Sequence, residues 1–392
     1  MSKYIYMDNA ATTEMRDEVL EVMLPFLKEN YGNPSSTYSL GVKSKTAIEE
    51  AREAIAARIN AKPREIYFTS GGSEADNWAI KGVAYANKDK GRHIITSKVE
   101  HHAVLHTCEY LEKQGFDVTY LDVDKYGMVD PEDLRAAIRP DTILITIMYA
   151  NNEVGTIMPI EEIAAIAKEN KIYFHTDAVQ AIGSIDIDVE ALNIDMLSMS
   201  AHKFHGPKGI GVLYIRTATK IDPLIIGGGQ ERSRRAGTEN IASIVGMAKA
   251  LEIAYANKDA RNEKLVQLRD MFIDKILKNI KYTRLNGHPS KRLPGNVNVS
   301  IEFIEGESML LSLDMMGVAA SSGSACTSGS LDPSHVLLAM GLAHEIAHGS
   351  LRLSISEETT EEDIDYVVES LIKIVDRLRM MSPLYEKVMK GE

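Results

Sequence analysis

Lys203 stands in a stretch of sequence that is typical of a reactive lysine. The apolar run IDMLSMS is followed at once by SAHKFHGPKGIG, so the lysine comes just after a predicted strand, beside His202 and before a Gly-Pro turn. A lysine amine that is partly withdrawn from water can attack a carbonyl and form a Schiff base. The ordinary alternative is a solvated lysine in a turn, because lysine side chains are rarely buried.

Asp177 ends the preceding predicted strand, in YFHTDAVQAIG, and Gln180 follows three residues later. An aspartate at a strand end can simply form a turn or cap a helix. It can also hold a pyridinium nitrogen in its protonated form, which an enzyme that uses pyridoxal 5'-phosphate (PLP) needs so that the ring can accept carbanion electrons. A Schiff-base lysine and such a carboxylate together indicate PLP chemistry.

Two other segments carry groups suited to a flat, phosphorylated cofactor. FTSGGSEADNWAI predicts a strand, a glycine turn (Gly71, Gly72, Ser73) and a helix whose N–H groups would favour a phosphate. KVEHHAVL places His101 at a strand-to-helix turn, where its ring could stack on a cofactor. Gly-rich turns are common before helices, and a histidine there can be a surface or capping residue, so neither signal decides the question alone.

Three polar loops complete the set of candidate residues. MYANNEVG ends an apolar strand with Asn151, Asn152 and Glu153, and GGGQERSRRAGTEN is rich in donors and contains Thr238. SSGSACTSGS surrounds Cys326 with small polar residues, whereas a structural cysteine usually has apolar neighbours. As a thiolate, Cys326 would be a nucleophile. Cys108 lies in an amphipathic helical pattern and is predicted to be structural.

The elements that must position these residues alternate between strand and helix patterns from about residue 65 to residue 215. Such alternation predicts a mostly parallel sheet covered by helices, in which ligands bind beyond the carboxyl ends of the strands. We expect an α/β large domain over residues 15–260. Residues 1–14 and 261–392 are predicted to form a smaller α+β domain that carries the cysteine loop.

Composition narrows the class of protein. The 392 residues carry 44 basic and 56 acidic side chains, a net charge of −12, and no basic run, so nucleic acid binding is disfavoured. The two cysteines form no disulfide framework. Neither a signal peptide nor a membrane-spanning run is evident, so we expect a cytoplasmic protein with no membrane partner.

The chain resembles the cysteine desulfurases of the NifS/IscS type, fold-type I PLP enzymes of the class V aminotransferase family. The resemblance covers nearly the whole chain and is carried by YMDNAAT, YGNPSS, SGGSEADN, VEHHAV, NNEVGTI, HTDAVQ, SAHKFHGPKG, GGGQERSRRAGTEN and SSGSACTSGSLDPSHVL. It implies that PLP is the cofactor and that L-cysteine is converted to L-alanine, with a persulfide on Cys326. The sulfur would serve iron-sulfur cluster assembly or other thio-cofactors, through an acceptor such as a NifU- or IscU-like scaffold.

The resemblance also implies a role for each matching position. Lys203 would be the Schiff-base lysine and acid/base, His101 the stacked ring, Asp177 the pyridinium partner, and Gln180 the donor to the phenolate oxygen. The phosphate would be held by Gly72, Ser73, Ser200 and His202, and by Thr238 from a second subunit, so a homodimer is expected. Asn152 and Arg352 would bind the substrate carboxylate, and Cys326 would accept the sulfur.

This chain departs from the family pattern in two places. Family members often have Ala-Thr where this chain has Gly72-Ser73, but serine keeps the hydroxyl. The given sequence also ends with MSPLYEKVMKGE, whereas IscS-type members often carry a longer tail that contacts the scaffold, which favours the NifS-like branch.

Other functions remain to be weighed. HEIAH, at residues 344–348, matches a zinc hydrolase motif, although a glycine follows it immediately. DVDKYGMVDPED partly imitates a calcium loop but is predicted to be a strand and a turn. Another PLP enzyme of the same fold, such as a selenocysteine lyase or an aminotransferase, is the nearest alternative, and Cys326 argues against the aminotransferase.

Overall fold

The structure, a computed structural model, describes residues 4–322 and 333–390, so the predicted cysteine loop with Cys326 lies outside the described residues. The strands are β1 (Ile5–Tyr6), β2 (Ile66–Thr69), β3 (His93–Ser97), β4 (Asp117–Leu121), β5 (Thr142–Thr146), β6 (Tyr173–Asp177), β7 (Met196–Ser200), β8 (Gly211–Ile215), β9 (Thr283–Leu285), β10 (Asn296–Ile301), β11 (Val318–Ala319) and β12 (Ser350–Ser354).

The helices alternate with the strands through the first two thirds of the chain. They are α1 (Asp17–Lys28), α2 (Ser39–Arg58), α3 (Gly72–Asn87), α4 (His102–Glu112), α5 (Pro131–Ala137), α6 (Ile160–Glu169), α7 (Gln230–Ser233), α8 (Ile241–Ala256), α9 (Lys258–Asn279), α10 (Gly306–Met315), α11 (His335–Ala339), α12 (His344–His348), α13 (Glu361–Met380) and α14 (Pro383–Lys390).

Strands β2 to β8 form one seven-stranded sheet in the order β2-β8-β7-β6-β5-β3-β4. Strand β8 is antiparallel to both of its neighbours, and the other strands run in one direction. The predicted mostly parallel α/β sheet is therefore confirmed. Because the parallel strands share a direction, the loops after β2, β3, β5, β6 and β7 meet at the same edge.

Apolar side chains cover both faces of this sheet. Neighbouring residues in β5 point to opposite sides, so Leu144 packs with Trp78 of α3, whereas Ile145 packs with Phe174 in the core beneath α6 and α8. Burial on both faces explains why these strands read as continuous apolar runs rather than as alternating ones.

A separate hydrophobic core lies in the C-terminal third of the chain. It joins the apolar faces of α9, α10 and α13 to the antiparallel strands β10 and β12, and it includes Ile5 and Met7 from the N-terminal segment. Strand β1 pairs in parallel with β11, which brings the N-terminal segment to this unit. The domain boundaries at residues 14/15 and 260/261 stay a prediction.

The predicted alternation of strands and helices between residues 65 and 215 is present as strands β2 to β8, with α3, α4 and α6 among the helices between them. Helices α1 and α2 were not predicted. The buried face of α2 is built largely from small residues, among them Gly41, Ser44, Ala47 and Ala51, so it lacks the apolar periodicity by which a helix is usually detected.

The rival motifs form other structures. HEIAH is the short helix α12, and the part of the chain that the structure describes contains no group of three His, Cys, Asp or Glu side chains arranged to hold a metal. In DVDKYGMVDPED, strand β4 ends at Leu121 and Asp124 closes a turn by accepting the N–H groups of Tyr126 and Met128. Among the described residues, no helix is long and apolar enough to span a membrane.

Candidate active site

A cavity of about 260 Å³ opens at the carboxyl edge of the seven-stranded sheet. Its walls come from the loops after β2, β3, β5, β6 and β7, from the N-terminal segment and from β12. The predicted site residues that line it are Gly72, Ser73, His101, Asn152, Asp177, Gln180, Ser200, His202, Lys203 and Arg352. The structure thus brings residues that are separated by up to 280 positions into one cavity.

Lys203 reaches the cavity from a 3-10 turn that directly follows β7. Its Nζ donates hydrogen bonds to the carbonyl oxygens of Ala10 at 2.6 Å and Ala11 at 2.8 Å. Gln180 Nε2 donates to the same Ala10 carbonyl at 2.9 Å. The N-terminal segment therefore holds both side chains at the cavity wall.

Asp177 is the last residue of β6 and is almost completely buried. Burial raises its pKa to about 6, while the N–H of Val179 and the positive charge of Lys203 act in the opposite direction. The Val179 N–H donates to Oδ1 at 2.9 Å. A buried carboxylate of this kind is suited to pair with a cationic ring nitrogen.

His101 is the N-cap residue of α4, and its Nδ1 accepts the backbone N–H of Ala103 at 3.1 Å. Burial, followed by the charge of Lys203, lowers the pKa of His101 to about 4. The ring is therefore neutral at pH 7 and, because Nδ1 is an acceptor, its proton is on Nε2.

The turn from β2 into α3 depends on glycine. Gly71 has a φ of 154°, and Gly211 of β8 packs so closely that a Cβ at Gly211 would lie 2.7 Å from the Cα of Gly71. A Cβ at Gly72 would lie 2.7 Å from Cγ2 of Val179, so a larger residue at position 72 would require the Val179 side chain to shift. The N–H groups of the first turn of α3 stay open to a ligand.

Arg352 enters the cavity from the middle of β12. Its Nη2 donates to Oδ1 of Asp8 at 2.9 Å, and its Nη1 donates to the backbone carbonyl of Asn152 at 3.1 Å. The buried Nε has no hydrogen-bond acceptor in the described part of the chain. The guanidinium is thus held in place with donor capacity left for a carboxylate.

Sequence reasoning missed several groups at this edge. Asp76 lines the cavity, Asp8 pairs with Arg352, and Glu100 is buried beside the loop of His101. Asp76 left a signal that could have been used, because it lies one turn after Gly72 on a helix face that is otherwise buried and apolar. The sequence carried no signal for the carbonyl oxygens of Ala10 and Ala11, since every residue has a backbone carbonyl.

Thr238 does not line the cavity and is exposed. It belongs to the segment 227–240, which contains three consecutive left-handed residues, Glu231, Arg232 and Ser233, with φ of 45°, 59° and 61°. Arg52 holds this turn through two hydrogen bonds to the carboxylate of Glu231, at 2.9 and 2.8 Å.

The structure describes one of the two cysteines, Cys108. Cys108 is fully buried in α4, and burial raises the pKa of its thiol, as expected for a structural residue. Cys326 lies outside the described residues, so its predicted role stays a prediction.

The cavity residues fit PLP. The first turn of α3 and the side chains of Ser73, Ser200 and His202 would hold the phosphate, because they combine open N–H groups with polar side chains. Asp177 would face the ring nitrogen, the neutral ring of His101 would lie against the cofactor, and Lys203 would attach it covalently. Asp177 is buried at the cavity wall, and the hydrogen bond given for its carboxyl within the described residues comes from the neutral Val179 N–H, which favours a cationic ligand as a further partner.

Comparisons with known proteins agree with this chemistry. The family model for aminotransferase class-V matches residues 5–367. A cysteine desulfurase IscS from Methanosarcina thermophila is 63% identical over 98% of this chain and 95% of its own length. A solved NifS-like protein has 41% identity and a TM-score of 0.91 over 96% of this chain and 100% of its own.

Another solved structure, described as SspA in complex with cysteine, has 41% identity and a TM-score of 0.81 over 91% of this chain and 100% of its own. These similarities extend along nearly the entire sequence, including every strand-end loop of the cavity. The chain belongs to the class V aminotransferase family of PLP enzymes and, within it, to the cysteine desulfurases of the NifS/IscS type.

Proposed function

We propose that this protein takes the sulfur of L-cysteine onto Cys326 as a persulfide, releases L-alanine and passes the sulfur to an acceptor protein. The observation that carries the proposal is the cavity that unites Lys203, Asp177, His101 and Arg352 at one edge of the sheet. The bound cysteine in the SspA structure, a protein 41% identical to this chain, supports L-cysteine as the substrate.

The overall reaction balances without an external oxidant. L-cysteine and the thiol of Cys326 give L-alanine and a persulfide: the substrate C–S bond breaks, an S–S bond forms, and the thiol proton accounts for the new C–H bond. PLP supplies the electron sink that stabilises negative charge at the substrate α-carbon. The side chains of the protein must bind and orient the substrate and move protons.

Arg352 is suited to bind the substrate carboxylate, because Asp8 and the Asn152 carbonyl already fix its guanidinium plane. The side chain of Asn152 lines the same cavity and would add a donor to that carboxylate. A substrate held in this way would have its α-carbon oriented with respect to Lys203.

Lys203 would remove the α-proton and return a proton to the product. Once it is released from the cofactor, its amine is held by the carbonyls of Ala10 and Ala11, which are acceptors only and keep the amine inside the cavity. The neutral ring of His101, with its proton on Nε2, would give up or take a proton at the substrate side and help to keep the attacking thiol of Cys326 as a thiolate.

The assembly state and the acceptor are part of the same proposal. Thr238 is exposed and lies outside the cavity of its own chain, which supports its service to a second copy in a homodimer. The acceptor would be an iron-sulfur scaffold or another thio-cofactor protein. We also place the enzyme in a reducing compartment such as the cytoplasm, because the Cys326 thiol must be regenerated between turnovers.

The test is alanine formation from L-cysteine with PLP and a thiol reductant. We expect Lys203→Ala to lower the rate by at least about 100-fold, since it removes the acid/base. Cys326→Ala should retain PLP and lose sulfur transfer. Lys208→Ala and Cys108→Ala are matched controls, because Lys208 is exposed and Cys108 is buried away from the cavity.

Two outcomes would overturn parts of the proposal. A wild-type protein that binds PLP but forms no alanine from L-cysteine would exclude desulfuration of this substrate. A Cys326→Ala protein that releases sulfide at the wild-type rate would remove Cys326 from the mechanism.

A further inference from the structure

Asp76 is a second buried carboxyl beside Asp177, and the proposed function assigns it no role. It is 1% exposed, lines the cavity, and lies one turn into α3 after the predicted phosphate turn. Among the residues that the structure describes, its Oδ1 has no hydrogen-bond partner. A buried polar atom without a partner costs stability, so its retention at a cavity wall calls for an explanation.

Within residues 4–322 and 333–390, no lysine or arginine forms a salt bridge with Asp76. His175 is a basic side chain near it, with Nε2 3.7 Å from Oδ1. Burial lowers the pKa of His175 to about 3, so the imidazole is neutral. Asp76 and His175 therefore do not form an ion pair.

The hydrogen bonds of His175 join a polar chain that runs from Thr146 to Ser198, next to Asp76. The strand register places His175 beside Thr146, and Asp177 beside Ser198. Nδ1 of His175 lies 2.8 Å from the Thr146 hydroxyl, and Nε2 lies 3.0 Å from the Ser198 hydroxyl. The Ser198 hydroxyl acts to lower the pKa of Asp76, but burial opposes it and is the larger effect.

Ionising both Asp76 and Asp177 in this buried place would be unfavourable in free energy. Burial and then the charge of Asp177 raise the pKa of Asp76 well above its usual range. Asp177 has two features that stabilise its anion, the N–H of Val179 and the charge of Lys203, whereas Asp76 receives only the Ser198 hydroxyl. The single charge of the pair therefore belongs on Asp177.

The other titratable groups nearby do not change this assignment. Glu100 is buried next to the pair, and burial raises its pKa to about 8, so it is neutral near pH 7. His101 is neutral for the reasons given above. Lys203 is the remaining cation, and it acts on Asp177.

We propose that Asp76 is a positioning residue that stays protonated and thereby keeps Asp177 as the carboxylate that holds the PLP ring nitrogen. This inference rests on the role proposed for Asp177 and deepens it. A neutral carboxyl at position 76 gives the pair one negative charge, matched to one cationic ring nitrogen. An ionised Asp76 would add a second negative charge and raise the tendency of Asp177 to take up a proton.

The test compares Asp76→Asn with Asp76→Ala, because asparagine keeps the shape and a donor of a protonated aspartate and alanine keeps neither. The affinity for PLP is measured by titration of the apoprotein. We expect the asparagine variant to bind PLP at least about tenfold more tightly than the alanine variant, because alanine removes the polar group that interacts with Ser198 beside Asp177 and leaves that interaction unmade. Asp177→Asn, which removes the anion itself, should bind more weakly than Asp76→Asn.

A second readout needs neither PLP nor activity. A carboxyl with a raised folded-state pKa contributes stability that is lost as pH rises above its unfolded-state value, so the wild-type apoprotein should lose stability through Asp76 above about pH 4. The Asp76→Asn apoprotein should therefore melt at a higher temperature than wild type at neutral pH. The two melting temperatures should converge below about pH 4.

Each remaining outcome overturns the inference. If Asp76→Asn binds PLP as poorly as Asp177→Asn, the charge of Asp76 is needed. If Asp76→Asn is no better than Asp76→Ala, or if Asp76→Ala binds like wild type, the protonated carboxyl has no such role. These measurements do not use L-cysteine, so they stay informative even if alanine formation from L-cysteine is not observed.

Discussion

Two regions of the molecule bury carboxyl groups in opposite ways. Along the segment 227–240, Glu231 is held by Arg52, and Glu74 is held by Arg235 through bonds of 2.7 and 3.0 Å. Around the cavity, the site carboxyls (Asp76, Glu100 and Asp177) receive hydroxyl and backbone N–H donors, and within the described residues none of them is paired with an arginine.

The difference shows what each region is built to do. An arginine that pairs with a buried carboxylate locks two parts of the backbone together, which the left-handed turn at 231–233 requires because non-glycine residues resist that conformation. A carboxyl without a cation is costly to ionise and is therefore ready to respond to a cationic ligand. The first arrangement serves structure and the second serves chemistry.

The largest effect is expected from breaking a paired carboxylate. Arg52→Met should lower the free energy of unfolding by about 3–5 kcal/mol, because it leaves the charge of Glu231 buried and unpaired. Denaturant unfolding measures this loss. Arg58→Met, at an exposed position on the same helix, is the control, and the double variant Arg52→Met/Glu231→Gln should recover part of the loss. A single variant as stable as the control would show that the pair does not hold the turn.

A smaller effect on stability is expected from substituting one carboxyl in each of the two regions. The two substitutions should act in opposite pH ranges. Burial raises the pKa of Glu100 to about 8, so its contribution to stability is present at low pH and is lost as pH rises towards 8. Burial opposes ionisation of Glu74, but bonds from Arg235 and Ser70 outweigh it and lower the pKa, so its contribution is present at neutral pH and is lost in acid.

Substitution of Glu100 or Glu74 by glutamine should show the two pH ranges separately. The Glu100→Gln apoprotein should be more stable than wild type by on the order of 2 kcal/mol at pH 8, with little difference below about pH 4. Glu74→Gln should be less stable than wild type at pH 7, and the deficit should shrink below about pH 4. Urea unfolding across this pH range measures both, and parallel profiles for the two variants would refute the contrast.

The smallest effect on stability is expected from breaking an ion pair in which both charges are exposed to water. Lys98 and Asp122 form an ion pair at 2.5 Å, with side chains that are 47% and 76% exposed. Lys98→Ala should change the free energy of unfolding by less than about 1 kcal/mol, because water solvates both charges in any case. A loss comparable with that of Arg52→Met would mean that burial is not what separates the two kinds of carboxylate.

The sequence predicted those parts of the fold and site that depend on local pattern. The strands around Leu144 and Phe174 were recognised because burial on both faces makes them apolar throughout. The cavity residues followed from their positions after these strands, since parallel strands bring their carboxyl ends together. The small residues on the buried face of α2 gave no comparable pattern, and that helix was missed.

The parts that could not be predicted depend on contacts between distant segments. Asp8 meets Arg352 across 344 positions, and the pairing follows from the docking of the N-terminal segment against β12. The hydrogen bonds of Lys203 to Ala10 and Ala11 use backbone carbonyls, which no residue type marks. Protonation of buried acids such as Asp76 depends on which groups surround them in the folded protein.

The N-terminal segment serves the cavity rather than the core of the seven-stranded sheet. Residues 8–11 supply the partner of Arg352 and the acceptors of Lys203, whereas the hydrophobic core of the seven-stranded sheet draws on none of them. Loss of this segment would therefore leave the core of the seven-stranded sheet untouched, but it would remove Ile5 and Met7 from the second core and the contacts that hold Arg352 and Lys203.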